Sequence, residues 1–200
     1  MRSVNYWICF LFLGPSISNL SATSIIDFLK YQGITYQYYR HGVGRELQNE
    51  DLGDEFTKVK YKFVWDGIQP GKQPAHGPDE AFAAHLDIGT SIFTVKGYLP
   101  TFRLAARRDG KIILFEASRV PNATKGSDYF DLRNVTYIGI NSEEDGVTEL
   151  AAIKDPERVT DLVWQVMNAP AKGGLGSDGP IYFIAFHFRD GTASARAFWV

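Results

Sequence analysis

Leu104-Ala105-Ala106-Arg107-Arg108-Asp109-Gly110-Lys111-Ile112-Ile113-Leu114-Phe115 sets an Asp-Gly pair between two β-rich runs. Both central positions of a type I′ turn need positive φ, which glycine adopts freely and aspartate tolerates, so the segment predicts a tight hairpin. The design recurs. Tyr137 to Asn141 turns near Asp145-Gly146 into Thr148 to Ile153, and Tyr182 to Phe188 turns at Asp190-Gly191 into Thr192 to Trp199. Upstream, Phe28 to Tyr31 and Ile34 to Tyr39 flank Gln32-Gly33, the two-residue spacing of another hairpin. Asn49 to Gly53 reads as one helical turn or loop. From about Thr57 to Trp65, Lys58, Lys60 and Lys62 alternate with Val59, Tyr61 and Phe63, as in a strand with one solvated face. The hairpin spacing is irregular, which argues against a propeller or solenoid repeat.

One helix interrupts the strands. Asp155 suits an N-cap, Pro156 the first helical position, and Val159, Leu162, Val163, Val166 and Met167 form one apolar stripe at helical spacing. Together these signals predict an α+β fold, mainly antiparallel β hairpins with one packed amphipathic helix over 156–168. The expected organisation is a single domain over 23–200, with a division into halves at 28–117 and 133–200 left open. Asp66 to Glu80 carries three prolines and three glycines with no apolar period, and reads as a long surface loop. Gly173 to Gly179 follows the helix instead of opening one, so it reads as a connector and not a phosphate cradle.

The N-terminus carries an address. Arg2, an apolar run from Val4 to Leu13, the breaker Gly14-Pro15 and the small or polar stretch Ser16 to Ala22 have the layout of an export signal over 1–22. A run of about ten apolar residues is too short to span a bilayer. An uncleaved anchor and a buried element of the domain are the alternatives for this segment. Cys9 is the only cysteine; large residues precede it, so it does not fit a lipid-acylation motif. Removal of the signal would leave a cysteine-free chain with no stable transmembrane helix, secreted or held in the cell envelope. About 180 residues bury enough core to do without disulfides. The sequons at Asn122 and Asn134 matter only in a host that glycosylates.

A net charge of −2 with dispersed basic residues gives no footprint for nucleic acid. No motif for a nucleophile elbow, a phosphate loop or a bound cofactor is present, and no cofactor is expected. None of the four histidines, His41, His76, His85 and His187, pairs with another at helical ligand spacing. His76 and His85 flank Asp79 and Glu80, with Asp87 beyond. His76, His85 and Asp87 would make a mixed nitrogen and oxygen metal site if the loop folded back; solvated loop residues are the plainer reading. His187, between Phe186 and Phe188, points away from both rings. Glu143, Glu144 and Asp145 lack calcium-loop spacing and read as turn chemistry. Tyr36, Tyr38 and Tyr39 crowd one hairpin, where they would either stack on a carbohydrate or peptide ligand or serve as core.

Gly97 to Arg107, Tyr137 to Ser142 and Phe186 to Ala193 are phrases that resemble those of uncharacterised exported or lipoprotein-like bacterial proteins, over most of the span from Gly33 to Trp199. The resemblance implies a compact extracytoplasmic domain and brings no reaction or catalytic residues. Such proteins often continue past a phrase like Arg196 to Trp199, which implies a truncated or short version here. The expected function is an exported non-enzymatic binding or envelope-associated module, its ligand or envelope partner unspecified. The alternatives are a small extracytoplasmic hydrolase, metal-assisted through the His76 to Asp87 region, and a purely structural or interaction domain.

Overall fold

The computed structural model describes residues 9–10, 26–39, 43–66, 69–171 and 181–199. Most of the export segment, His41 and the glycine-rich connector lie outside the described residues. The first ten strands are β1 Cys9–Phe10, β2 Phe28–Tyr31, β3 Ile34–Tyr38, β4 Leu52–Lys62, β5 Trp65–Asp66, β6 Gln69–Pro70, β7 Ala81–Ala83, β8 Ser91–Val95, β9 Arg103–Arg108 and β10 Lys111–Arg119. There follow β11 Val135–Asn141, β12 Glu149–Ile153, the helix α1 Pro156–Asn168, β13 Ile181–Phe188 and β14 Ala193–Trp199. They fall into two compact units, one on residues 26–39 and 46–122, the other on 9–10, 43–45 and 123–199.

The first unit is a closed barrel in the order β10-β3-β2-β7-β4-β8-β9. This corrects the α+β expectation of antiparallel hairpins with a packed helix: the protein is mostly β, and a seven-stranded barrel dominates it. The hairpins are present, but closure comes from pairings that no turn signal announces. β10 pairs with β3, and Ala81-Phe82-Ala83 runs antiparallel to β2 and parallel to β4. Three residues without alternation or β-branching carry no strand signal, so the closing element lay hidden at the end of the supposed loop. Closure removes the exposed strand edges that open hairpins would leave.

Small and large residues fill the interior together. Ala81, Ala83, Ala106 and Ala117 sit beside Leu29, Ile34, Tyr36, Val59, Ile92, Leu104, Ile113 and Phe115. The lysine stripe of β4 is exposed, while Val59 between its members is buried. On the outer side of β9 and β10, Ala105 and Leu114 pack with Leu47, Leu52 and Val95. Arg103 and Glu116 face each other across these two strands, both wholly buried. Arg103 Nε and Nη2 donate to Glu116 Oε1 at 2.8 and 2.7 Å, and the guanidinium lies 4.5 Å from the Tyr98 ring centre and 4.9 Å from that of Phe102.

The second unit is an antiparallel sheet in the order β1-β14-β13-β11-β12. Cys9–Phe10 is thus an edge strand beside β14. α1 packs on β11 and on the 3-10 turn Gly126–Asp128. Asp155 accepts the Arg158 N–H at 3.0 Å as N-cap; Val159 and Val166 are buried, with Leu162, Val163 and Met167 half-buried on the same stripe. Phe186 lies against Phe130 and Phe198. On the sheet's other face Val43 packs with Ala185 and Ala193.

The Asp-Gly turns differ in detail. Asp109 and Gly110 both have positive φ, 52° and 74°, as a type I′ turn requires. At Asp145-Gly146 and Asp190-Gly191 only the glycine does. There the aspartates cap the turn instead: Asp145 Oδ1 accepts the Val147 and Thr148 N–H groups, and Asp190 Oδ1 that of Thr192.

Candidate functional site

The site lies within the barrel unit, where the β2–β3 turn meets the proline-rich segment before β7. Gln32-Gly33 turns with positive φ at both residues, 51° and 75°, and this presents the Gln32 N–H outward to Pro78 O at 2.6 Å. The loop itself is braced. Gln73 exchanges hydrogen bonds with the backbone of Val64, Val64 N–H to Oε1 at 3.0 Å and Nε2 to Val64 O at 2.8 Å. Glu80 accepts the Gly77 N–H at 2.9 Å on Oε2 and the Tyr61 hydroxyl at 3.3 Å on Oε1. A carboxylate committed on both oxygens holds the chain's path, as in a side-chain-capped turn.

These contacts enclose a cleft of about 130 Å³ lined by Lys30, Tyr31, Gly33, His76, Gly77, Pro78 and Glu80. Its rings are Tyr31 and His76, and His76 joins an adjoining aromatic cluster. The His76 ring stacks on Phe82 with centres 4.4 Å apart, and Phe82 meets Phe28 and Phe63 in turn at 5.5 and 6.2 Å. Lys30 Nζ lies 5.3 Å from the Phe28 ring centre and 5.9 Å from that of Phe82, within cation–π range. Period two explains the placement: Leu29 points into the barrel, so Phe28 and Lys30 point out. His76 Nδ1 is 3.1 Å from Pro74 O. A carbonyl only accepts, so Nδ1 carries the proton in this contact.

The tyrosine-rich hairpin does border this cleft, through Tyr31 and not through the three tyrosines singled out by sequence. Tyr36 is 2% exposed inside the barrel, and its hydroxyl donates to Pro100 O at 3.0 Å. Burial pushes its pKa well above the usual phenol value. Tyr38 is half-buried against Phe115 and the barrel core, and Tyr39 packs on the cluster around Leu47. Tyr36 is thus a core residue, while Tyr38 and Tyr39 flank the core half-buried.

His76, His85 and Asp87 do not converge. His76 lies in the cleft, His85 is exposed beyond β7, and Asp87 pairs with Lys62 at 2.6 Å, a hydrogen bond that lowers its pKa. Among the described residues no three His, Cys, Asp or Glu side chains stand together as a metal site. Asp145 is engaged by Thr148 and Val147, which lowers its pKa in the same way. His187 is 12% exposed in the sheet unit, and burial lowers its pKa against the opposing pull of Glu149. Lys30 and Glu80 carried no sequence signal for a shared site, because the turn and the segment ending at Glu80 meet only once the barrel has closed. Comparison with protein-family models, curated proteins and solved structures gives no significant match to this chain.

Proposed function

We propose that the barrel unit is a binding module whose cleft takes a residue-sized ligand bearing a carboxylate, a uronic acid or the free end of a short peptide. The observation that carries this reading is the cleft itself: the Lys30 ammonium with the Tyr31 and His76 rings, at the meeting of a tight turn and a braced loop. Its size decides the class of ligand. Sites for drug-sized molecules run from about 300 to 1,000 Å³, so 130 Å³ suits one sugar or one amino-acid residue. The lining holds no serine, threonine or cysteine, and Glu80 is already engaged, which favours recognition over nucleophilic chemistry. Titration of the protein with glucuronate and with short peptides, followed by NMR or calorimetry, tests it. Lys30→Gln is expected to weaken binding about tenfold, the worth of one charge-assisted hydrogen bond. Saturable binding of neither probe, or binding by Lys30→Gln as tight as the parent's, would overturn the reading.

The module is proposed to work outside the cytoplasm, on the strength of Arg2, the short apolar run and the small residues after Pro15. Among the described residues no helix is long and apolar enough to cross a membrane. Processing near residue 19 or 23 would remove Cys9–Phe10 and leave β14 at the sheet edge. Intact-mass measurement on protein recovered from an exporting host should show a chain starting near those residues; retention of Met1 in the exported fraction would count against it.

A further inference from the structure

On the face of the sheet unit that Val43 covers, Tyr137, Gly139 and Asn141 follow one another along β11. Tyr137 is paired with His187 on β13, and Asn141 with Glu149 on β12. A Cβ built on Gly139 would lie 2.8 Å from Glu149 Oε2, 3.2 Å from Asn141 Oδ1 and 3.3 Å from His187 Nε2. Three polar atoms from three strands therefore surround one point above the glycine.

Two of these atoms lack a partner. Asn141 Oδ1 and His187 Nε2 are both buried without a hydrogen bond, a condition native structures rarely leave unexplained. The Asn141 side chain is held in this orientation: its Nδ2 donates to Gly146 O at 2.9 Å, and since that carbonyl only accepts, Oδ1 must face the glycine. Asn141 is 4% exposed. The His187 ring is held by Tyr137, stacked at 4.0 Å with planes 8° apart. Its Nε2 stands 3.5 Å from Glu149 Oε2, and no hydrogen bond joins them.

We infer that His187 Nε2, Glu149 Oε2 and Asn141 Oδ1 form a binding site for one divalent transition-metal ion, with Gly139 as its floor. An imidazole nitrogen, a carboxylate oxygen and an amide oxygen are a donor set for a borderline ion of the zinc class. Two ligands of a tetrahedral zinc with bonds of about 2.0–2.1 Å lie about 3.3 Å apart, close to the 3.5 Å between Nε2 and Oε2. One cation satisfies Asn141 Oδ1 and His187 Nε2 and at the same time neutralises the Glu149 carboxylate beside them, which a water does not. The partly exposed Glu149 side chain gives the ion a route in and leaves a coordination position toward solvent. A Cβ at 139 would stand 2.8–3.3 Å from all three donors and crowd them apart, so glycine is what leaves them room to close on an ion. The third donor is an amide, so the set differs from the His85 and Asp87 grouping suggested by sequence. It involves the sheet unit alone and does not depend on the reading of the cleft.

Equilibrium dialysis of the full chain against Zn²⁺, with metal content per chain as readout and Co²⁺ absorption as spectroscopic probe, tests the site. About one ion per chain is expected, with a Co²⁺ band of low-coordinate intensity. His187→Gln, Glu149→Gln and Gly139→Ala should each lower affinity at least tenfold, and Glu157→Gln on the helix should not. Glu149 is partly exposed, so Glu149→Gln decides the matter if the His187 variant fails to fold. Absence of stoichiometric metal in the folded parent, or binding that survives Glu149→Gln, overturns the inference, the latter assigning the ion to another histidine.

Discussion

Glu116→Ala is expected to destabilise the protein by about 3–5 kcal/mol, because it removes one partner of a wholly buried ion pair. Arg103 and Glu116 are both fully buried, and Glu116 Oε1 accepts two N–H groups from Arg103. Removing the carboxylate leaves the desolvation cost of the cation with its main compensation gone. The pair itself is a poor stabiliser, since its Coulomb gain mostly offsets the cost of taking two charges out of water. Replacing both partners, Arg103→Met with Glu116→Leu, is therefore expected to be near neutral or stabilising. Asp87→Ala provides the contrast. Lys62 and Asp87 are as close, at 2.6 Å, but exposed, and loss of that pair should be barely measurable. Urea denaturation of the three variants decides: a Glu116→Ala midpoint close to the parent's would show that water reaches the pair.

Phe115→Ala should cost about 3–5 kcal/mol by opening a cavity in the barrel. Phe115 is wholly buried among Leu104, Ile113 and Tyr36, and its ring lies 6.4 Å from that of Tyr38. The barrel interior is closed on all sides by paired strands, so its walls have little freedom to collapse into the void, which favours the upper part of the range. Trp164→Ala removes a larger side chain from the helix, yet Trp164 is 66% exposed and its loss should change stability by no more than about 0.5 kcal/mol. Thermal or chemical denaturation gives both values. Equal effects would mean that the barrel interior is not the main core of its unit.

Several elements were legible because their causes lie within a few residues. Asp109-Gly110 turns where both residues have positive φ, and α1 starts at Pro156 because Asp155 caps it. The lysine stripe on β4 shows its solvated face directly in the alternation. The tyrosines were harder: Tyr36 and Tyr31 share the face of Leu29 and Ile34 on the same hairpin, and only position along the barrel separates the buried ring from the half-buried one beside the turn and the cleft. His187 pointed away from its flanking phenylalanines as period two requires, but period two does not say what it points toward. Gly139 explains that, and a lone glycine in a strand carries no such message by itself.

The sequence by itself determined the turns, the helix with its cap, and the in-and-out phase of most strands, since each depends on backbone preference and side-chain alternation over short windows. Tertiary structure alone decided that the hairpins close into a barrel, that the Gln32-Gly33 turn and the segment at Pro78 enclose a cleft, that Arg103 and Glu116 are buried together, and that His187, Asn141 and Glu149 converge over Gly139. Those outcomes rest on pairings between strands far apart in the chain. Their energies depend on which surfaces meet, and no local window contains that information.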